Sequence, residues 1–191
     1  MYDGRYVGRG GKKLEFALDK LQLSVHNVIA ADFGCNIGGF TDCLLQRGAK
    51  KVYAVDTGYG MLEWKLRKDD RVVVMERTNA MHVDLPEPVK VVTIDAGWTR
   101  QKYILPNALA QGADDALILS LFKPQYEADD SLVHDGVVPS EHFQQVLDRT
   151  LCELNNRGFV VDRAINLPHE RKSKNREAML LFHTQHCTPD G

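Results

Sequence analysis

The chain has 191 residues and a mass of 21.5 kDa, enough for one domain that covers both faces of a central sheet and too few for a second full domain. With 43% hydrophobic and 26% charged residues it has the composition of a globular protein, not of a disordered or fibrous chain. A formal net charge of -2 excludes a wholly basic surface but leaves room for a local basic patch. No stretch is apolar enough for a membrane span and the first residues lack the apolar core of a signal peptide, so a cytoplasmic protein without membrane contact is expected.

Along the chain, Leu14, Ala17, Leu18 and Leu21 recur at helical spacing and predict a leading amphipathic helix over 12–21. The short apolar run 27–33 ends at a glycine, as a buried parallel strand would, and a helix is expected over 39–46. Further strands are predicted over 51–55, 72–76, 89–94 and 116–122, with a helical turn or two over 61–67 and a helix over 102–111. The period of Phe143, Val146, Leu147, Thr150, Leu151 and Leu154 predicts a helix over 140–157, with Ser140 as N-cap and Gly158 as stop signal. Strands over 159–165 and 178–182 lie too close together for a crossover and read as a hairpin. The stretch 125–139, acidic and poor in strand signals, is the candidate for a mobile loop over a site. Together these give one α/β domain over 1–191. A leading segment and helix fill 1–21, and 27–183 forms a mostly parallel seven-stranded sheet with a C-terminal antiparallel hairpin and helices on both faces. Cys35, Cys43, Cys152 and Cys187 form no CxxC pair and no ligand spacing with histidine, so they read as buried reduced thiols and no metal site is expected.

The sharpest local signal is the run from Asp32 through Gly34, Cys35, Asn36, Gly38 and Gly39 to Phe40, a glycine-rich turn that joins the first strand to a helix. Glycine removes Cβ atoms where backbone must approach a ligand, and the helix start offers unpaired N–H groups to a carboxylate. Asp56 ends the next strand, where a carboxylate can accept both ribose hydroxyls of an adenosine. The G-x-x-x-G-G spacing departs from the pyrophosphate-binding pattern, and Asp32 would repel a phosphate while suiting a cationic methionyl group. S-adenosylmethionine therefore fits better than a dinucleotide, on a Rossmann-like methyltransferase fold.

The blocks RGGKKLEFAL, DFGCNIGGFTDCLLQRGAKKVYAVDTGYG, MERTNA and LFKPQYE resemble the FtsJ-like methyltransferase domain of the TlyA, or haemolysin-A-like, proteins, over about residues 7 to 182. The resemblance implies a S-adenosylmethionine-dependent RNA 2′-O-methyltransferase acting on ribosomal RNA. It implies a catalytic tetrad at Lys13, Asp95, Lys123 and Glu177, and adds Thr57, Thr78, Asn79 and Ala80 to the cofactor site. A ribose hydroxyl becomes a good nucleophile on losing its proton, so a lysine whose pKa is lowered by burial or a second cation can serve as base. Lys123 ends the fifth strand and takes that role; Asp95, ending the adjoining strand, orients it, while Lys13 and Glu177 position the hydroxyl for in-line attack.

Three departures from the family pattern bear on substrate. After Asp95 stands Ala96-Gly97-Trp98-Thr99 in place of a Ser-Phe-Ile-Ser-like run, and Trp98 reads either as a platform for a flipped base or as a core residue. Lys174-Asn175-Arg176 replaces the glycines and Asn that precede the tetrad glutamate. Family members usually carry an S4-type RNA-binding domain ahead of this one, whereas this sequence begins at the methyltransferase domain. RNA contact is then expected from two basic segments, Arg5, Arg9 and Lys12 beside Lys13, and Arg171, Lys172, Lys174 and Arg176. A small-molecule or protein methyltransferase and a non-catalytic cofactor-binding module remain as alternatives. A membrane-active haemolysin is disfavoured because no spanning or long cationic amphipathic segment is present.

Overall fold

The structure, a computed structural model, describes residues 4–169 and 174–188. Seven strands, β1 (Ile29–Phe33), β2 (Lys51–Val55), β3 (Val72–Met75), β4 (Val89–Ile94), β5 (Gly112–Phe122), β6 (Arg163–Asn166) and β7 (Ala178–His183), form one sheet in the order β3-β2-β1-β4-β5-β7-β6. The first five are parallel, and β7 runs antiparallel to both β5 and β6. The chain order reverses between β1 and β4, so the C-terminal ends of these two strands open the crevice in which such sheets bind ligands. The α/β architecture, the parallel core and the antiparallel ending are as expected from the sequence.

Period-two alternation divides the strands between two cores. Ala30, Val52, Leu119 and Met179 face a cluster with Leu14 and Leu18 of α1 (Gly10–Leu21) and Phe40 and Leu44 of α2 (Gly39–Gln46). Ala31, Tyr53, Ile118 and Leu180 face the opposite cluster, with Ile104 and Leu105 of α4 (Gln101–Gln111) and Phe143 and Leu147 of α6 (Phe143–Asn156). Each fully buried leucine or phenylalanine of these layers contributes about 1.5–3 kcal/mol of transfer free energy. The short helices α3 (Trp64–Arg67) and α5 (Pro124–Glu127) complete the set.

Several boundaries differ from expectation for local reasons. Helix α1 starts two residues early, on glycines, because its first turn packs against the Tyr6 ring, 2.3 Å from where a Cβ of Gly11 would stand. Helix α6 starts at Phe143, not Ser140, and His142 flanks it without a side-chain cap. Its stop is the expected one: the N–H of Gly158 donates to Asn155 O and that of Phe159 to Leu154 O, both at 3.0 Å, a Schellman ending. That ending draws Phe159 into the core, so the strand expected over 159–165 shortens to β6.

The stretch 125–139, expected as a mobile loop over the site, is joined to the rest of the fold at several points. The buried Glu127 carboxylate accepts the Gln101 N–H at 2.7 Å, Arg149 donates to Glu127 O at 2.7 Å and pairs with Asp129, and Asn175 bridges Val138 N and Gly136 O. Two of its acidic side chains, Glu127 and Asp129, are held by partners on α4 and α6 that are distant in sequence. The thiols are all free, but only Cys35 and Cys43 are buried; Cys152 is exposed and Cys187 half-buried.

Candidate active site

A cleft of about 1100 Å³ lies across the C-terminal ends of β1, β2, β4 and β5. The turn after β1 forms its first wall. Gly34, at φ +83°, and Cys35 both donate to Val55 O, and a Cβ on Gly34 would stand 2.9 Å from Asp95 O. Only glycine therefore lets β1 and β4 diverge this narrowly. Asn36, Gly39 and Phe40 continue the wall, whereas Gly38 is the N-cap of α2 and does not line the cleft.

Asp56 is the hub of this wall. Its carboxylate accepts Asn36 N at 2.8 Å and Gly58 N at 2.7 Å, drawing the loops after β1 and β2 together, and each oxygen keeps lone-pair capacity toward the cleft. Thr57 follows it, and Thr78, Asn79 and Ala80 close the far side after β3. These are pinned in turn: the Asn79 side chain accepts Met81 N at 2.9 Å, and Ala80 O accepts from Asn107 at 2.7 Å.

Asp32 reaches the cleft floor, but its carboxylate is committed to the fold. It accepts the Thr41 N–H and hydroxyl at 2.9 and 2.7 Å and the Thr93 hydroxyl at 3.0 Å. Burial pushes its pKa up to about 7 against the lowering effect of those hydrogen bonds. The residue read as a partner for a cationic ligand thus also locks α2 and β4 onto β1. Burial likewise raises the Cys35 thiol, which stays protonated at neutral pH.

Four other elements supply the second wall. Lys123, directly after β5, holds its Nζ 2.5 Å from Asp95 Oδ1 at the end of β4, with the Asp95 and Ala96 carbonyls at 3.4 Å. Lys13, one turn into α1, pairs with Glu177, just before β7, at 2.5 Å. All four line the cleft, so residues scattered from 13 to 177 converge as two ion pairs. The partner that the structure gives Lys123 is a carboxylate, not the second cation that the sequence allowed.

Trp98 is 92% exposed, at φ +63°, with its ring 5.7 Å from Tyr126, which overturns the core reading. Of the basic candidates, Arg9 and Lys174 line the cleft beside Lys13, whereas Arg5, Lys12 and Arg176 do not. Arg5 pairs with Glu15 at 2.5 Å, and Arg176 lies over the Phe143 ring. Arg171 and Lys172 lie outside the described residues. Sequence reading missed Met61, Met81, Gln125 and His169 as lining residues, and missed Asn175, which was noted only within a departure from the family pattern. It also missed a second, more apolar cavity beyond Trp98. Its trace in the sequence is the set of aromatics Trp98, Tyr103 and Tyr126. Among the described residues no group of three or more side chains could hold a metal ion, and no helix is long and apolar enough to cross a membrane.

A family model described as FtsJ-like methyltransferase matches residues 6–184. The Bacillus subtilis protein YqxC, described as a candidate rRNA methyltransferase, is 41% identical over 189 residues, 94% of this chain and 66% of that protein. The Mycobacterium tuberculosis 16S/23S rRNA (cytidine-2′-O)-methyltransferase TlyA is 42% identical over 156 residues, 80% of this chain and 57% of that protein. A solved structure from Lactococcus lactis, described as a candidate hemolysin, superposes with a TM-score of 0.89 at 33% identity, covering 97% of this chain and 91% of that one. The chain spans about two-thirds or less of these two curated relatives.

Proposed function

Because the chain belongs to the FtsJ-like methyltransferase family, we propose that it methylates a ribose 2′-hydroxyl of RNA, with ribosomal RNA as substrate and S-adenosylmethionine as methyl donor. The observation that carries this reading is the pair of ion pairs, Lys123–Asp95 and Lys13–Glu177, on one wall of a cleft whose other wall is the glycine turn and Asp56.

The residues fit the cofactor. The turn at Gly34 passes close against the end of β4 and keeps the cleft between β1 and β4 open, Asp56 offers carboxylate lone pairs to ribose hydroxyls, and Thr57, Thr78, Asn79 and Ala80 border the cleft where the adenine would lie. When bound there, the cofactor supplies an electrophilic methyl carbon on a sulfonium. Asp95 orients Lys123 Nζ, and Lys13 with Glu177 fixes the ribose hydroxyl opposite it. Lys123, in its neutral form, would take the hydroxyl proton as the ribose oxygen accepts the methyl group. Asp95 then stabilises the ammonium that has formed. Arg9 and Lys174 are placed to meet backbone phosphates at the mouth, and Trp98 offers an open ring to the target base.

The test is transfer of labelled methyl to naked rRNA and to assembled ribosomal subunits, followed by alkaline hydrolysis. Label recovered as a 2′-O-methyl dinucleotide is the expected result. Tight cofactor binding with no label in any RNA would favour a non-catalytic module, the reading that the Ala96-Gly97-Trp98 departure suggests.

A further inference from the structure

Beyond Trp98 lies a second cavity of about 1030 Å³, walled by Met81, Trp98, Tyr103, Tyr126 and Val133. Trp98 lines both cavities. At 92% exposure neither face of its indole is packed, and Tyr126 meets it at 47°, an oblique contact rather than a stack. Tyr103, on the first turns of α4, is 58% exposed and faces the same space. Aromatic rings held open to solvent around one pocket mark a place where planar groups are received.

We infer that Trp98 is a partition with a base on each face: the target base toward the cleft, and the base of a flanking nucleotide in the pocket formed with Tyr103. This inference rests on the RNA reading above. The pocket is continuous with the cleft through Met81, Thr99, Gln125 and Gly136. Tyr126, one of its walls, has its ring centre 6.0 Å from Lys123 Nζ, so the pocket begins beside the reacting centre, within reach of the next nucleotide of the same strand. Arg100 and His82 border it and suit the intervening phosphate. Stacking on aromatic rings tolerates any base, so this pocket would strengthen binding of the strand without reading its sequence.

The chain has two tryptophans, so a Trp64→Phe protein reports on Trp98 alone. With S-adenosylhomocysteine bound, its fluorescence would be titrated with cytidine monophosphate and with dinucleotides that extend it on either side. One dinucleotide series should bind about tenfold more tightly than the mononucleotide, the size of one base stacked on one ring. Tyr103→Ala should remove that gain while leaving mononucleotide and cofactor affinities within about twofold, and Tyr103→Phe should keep it. If neither dinucleotide gains, or Tyr103→Ala weakens mononucleotide and dinucleotide equally, the pocket is not a base subsite even where the protein methylates rRNA. If the wild type transfers no methyl to rRNA and no nucleotide quenches Trp98, the RNA reading itself falls and takes the subsite with it.

Discussion

The two walls of the cleft are built on different principles. The wall after β1, β2 and β3 is fixed by hydrogen bonds from backbone N–H groups: Gly34 and Cys35 to Val55 O, Asn36 and Gly58 to the Asp56 carboxylate, and Met81 to the Asn79 side chain. The wall of α1, β4, β5 and β7 depends on long side chains that meet across the fold as ion pairs, with Trp98 standing free at its rim. Rigid backbone suits a cofactor that is the same in every turnover, whereas side chains that can change partners suit a substrate whose proton must move. Gly34, lying against Asp95 and Ala96, is one point at which the walls meet.

The largest effect should come from the substrate wall. Asp95→Asn keeps the size of the side chain but removes the charge facing Lys123, and should lower the single-turnover transfer rate by about 10²–10³-fold. Cofactor affinity by calorimetry should change little; a matching loss there would show that the walls are not separable. Gly34→Ala attacks the point of contact. Its left-handed backbone and the 2.9 Å approach to Asp95 O should together cost about 2–4 kcal/mol, lowering Tm by roughly 5–10 °C. Both cofactor affinity and transfer should fall, and loss of only one would contradict a shared hinge.

Each wall also hides a carboxyl that burial raises to about 7, Asp32 under the cofactor side and Glu127 behind the substrate side. Between the ordinary value near 4.5 and 7 the folded state holds the Glu127 proton that the unfolded chain releases. This group's contribution therefore falls as pH rises through that window, and the full penalty is present above 7. Glu127→Gln, which keeps an acceptor for the Gln101 N–H, should match wild type near pH 4.5 and exceed it by up to about 3 kcal/mol at pH 8 in urea denaturation. Asp32→Asn should shift in the same direction. The smallest effect is expected at the mouth: Arg9→Ala and Lys174→Ala should each weaken RNA binding a few-fold and reduce its salt slope by about 1, equally for all sequences.

The same contrast sets what could be read before the fold was known. The first wall is local in sequence, so its spacing and residue types were visible in one run from Asp32 to Phe40 with Asp56 beyond. The second wall comes from segments more than a hundred residues apart; resemblance to a family named its members, but no period or spacing joins Lys13 to Glu177. Strands were legible because alternation and length are local properties. Phe159 was misplaced because an apolar residue after a helix stop looks like the start of a strand, and the exposure of Trp98 depends on where the loop after β4 points. Arg5 and Arg176 were read as a basic patch, yet each found a partner elsewhere, Glu15 for one and the Phe143 ring for the other.

The most direct test of the account is Lys123→Met in the rRNA transfer assay, with cofactor affinity and Tm measured on the same protein. Transfer lower by about 10²–10⁴-fold, with binding and stability near wild type, is the result predicted for a base held by Asp95. Transfer within a few-fold of wild type would contradict it, because the proton would then leave the ribose hydroxyl by a path that does not pass through Lys123.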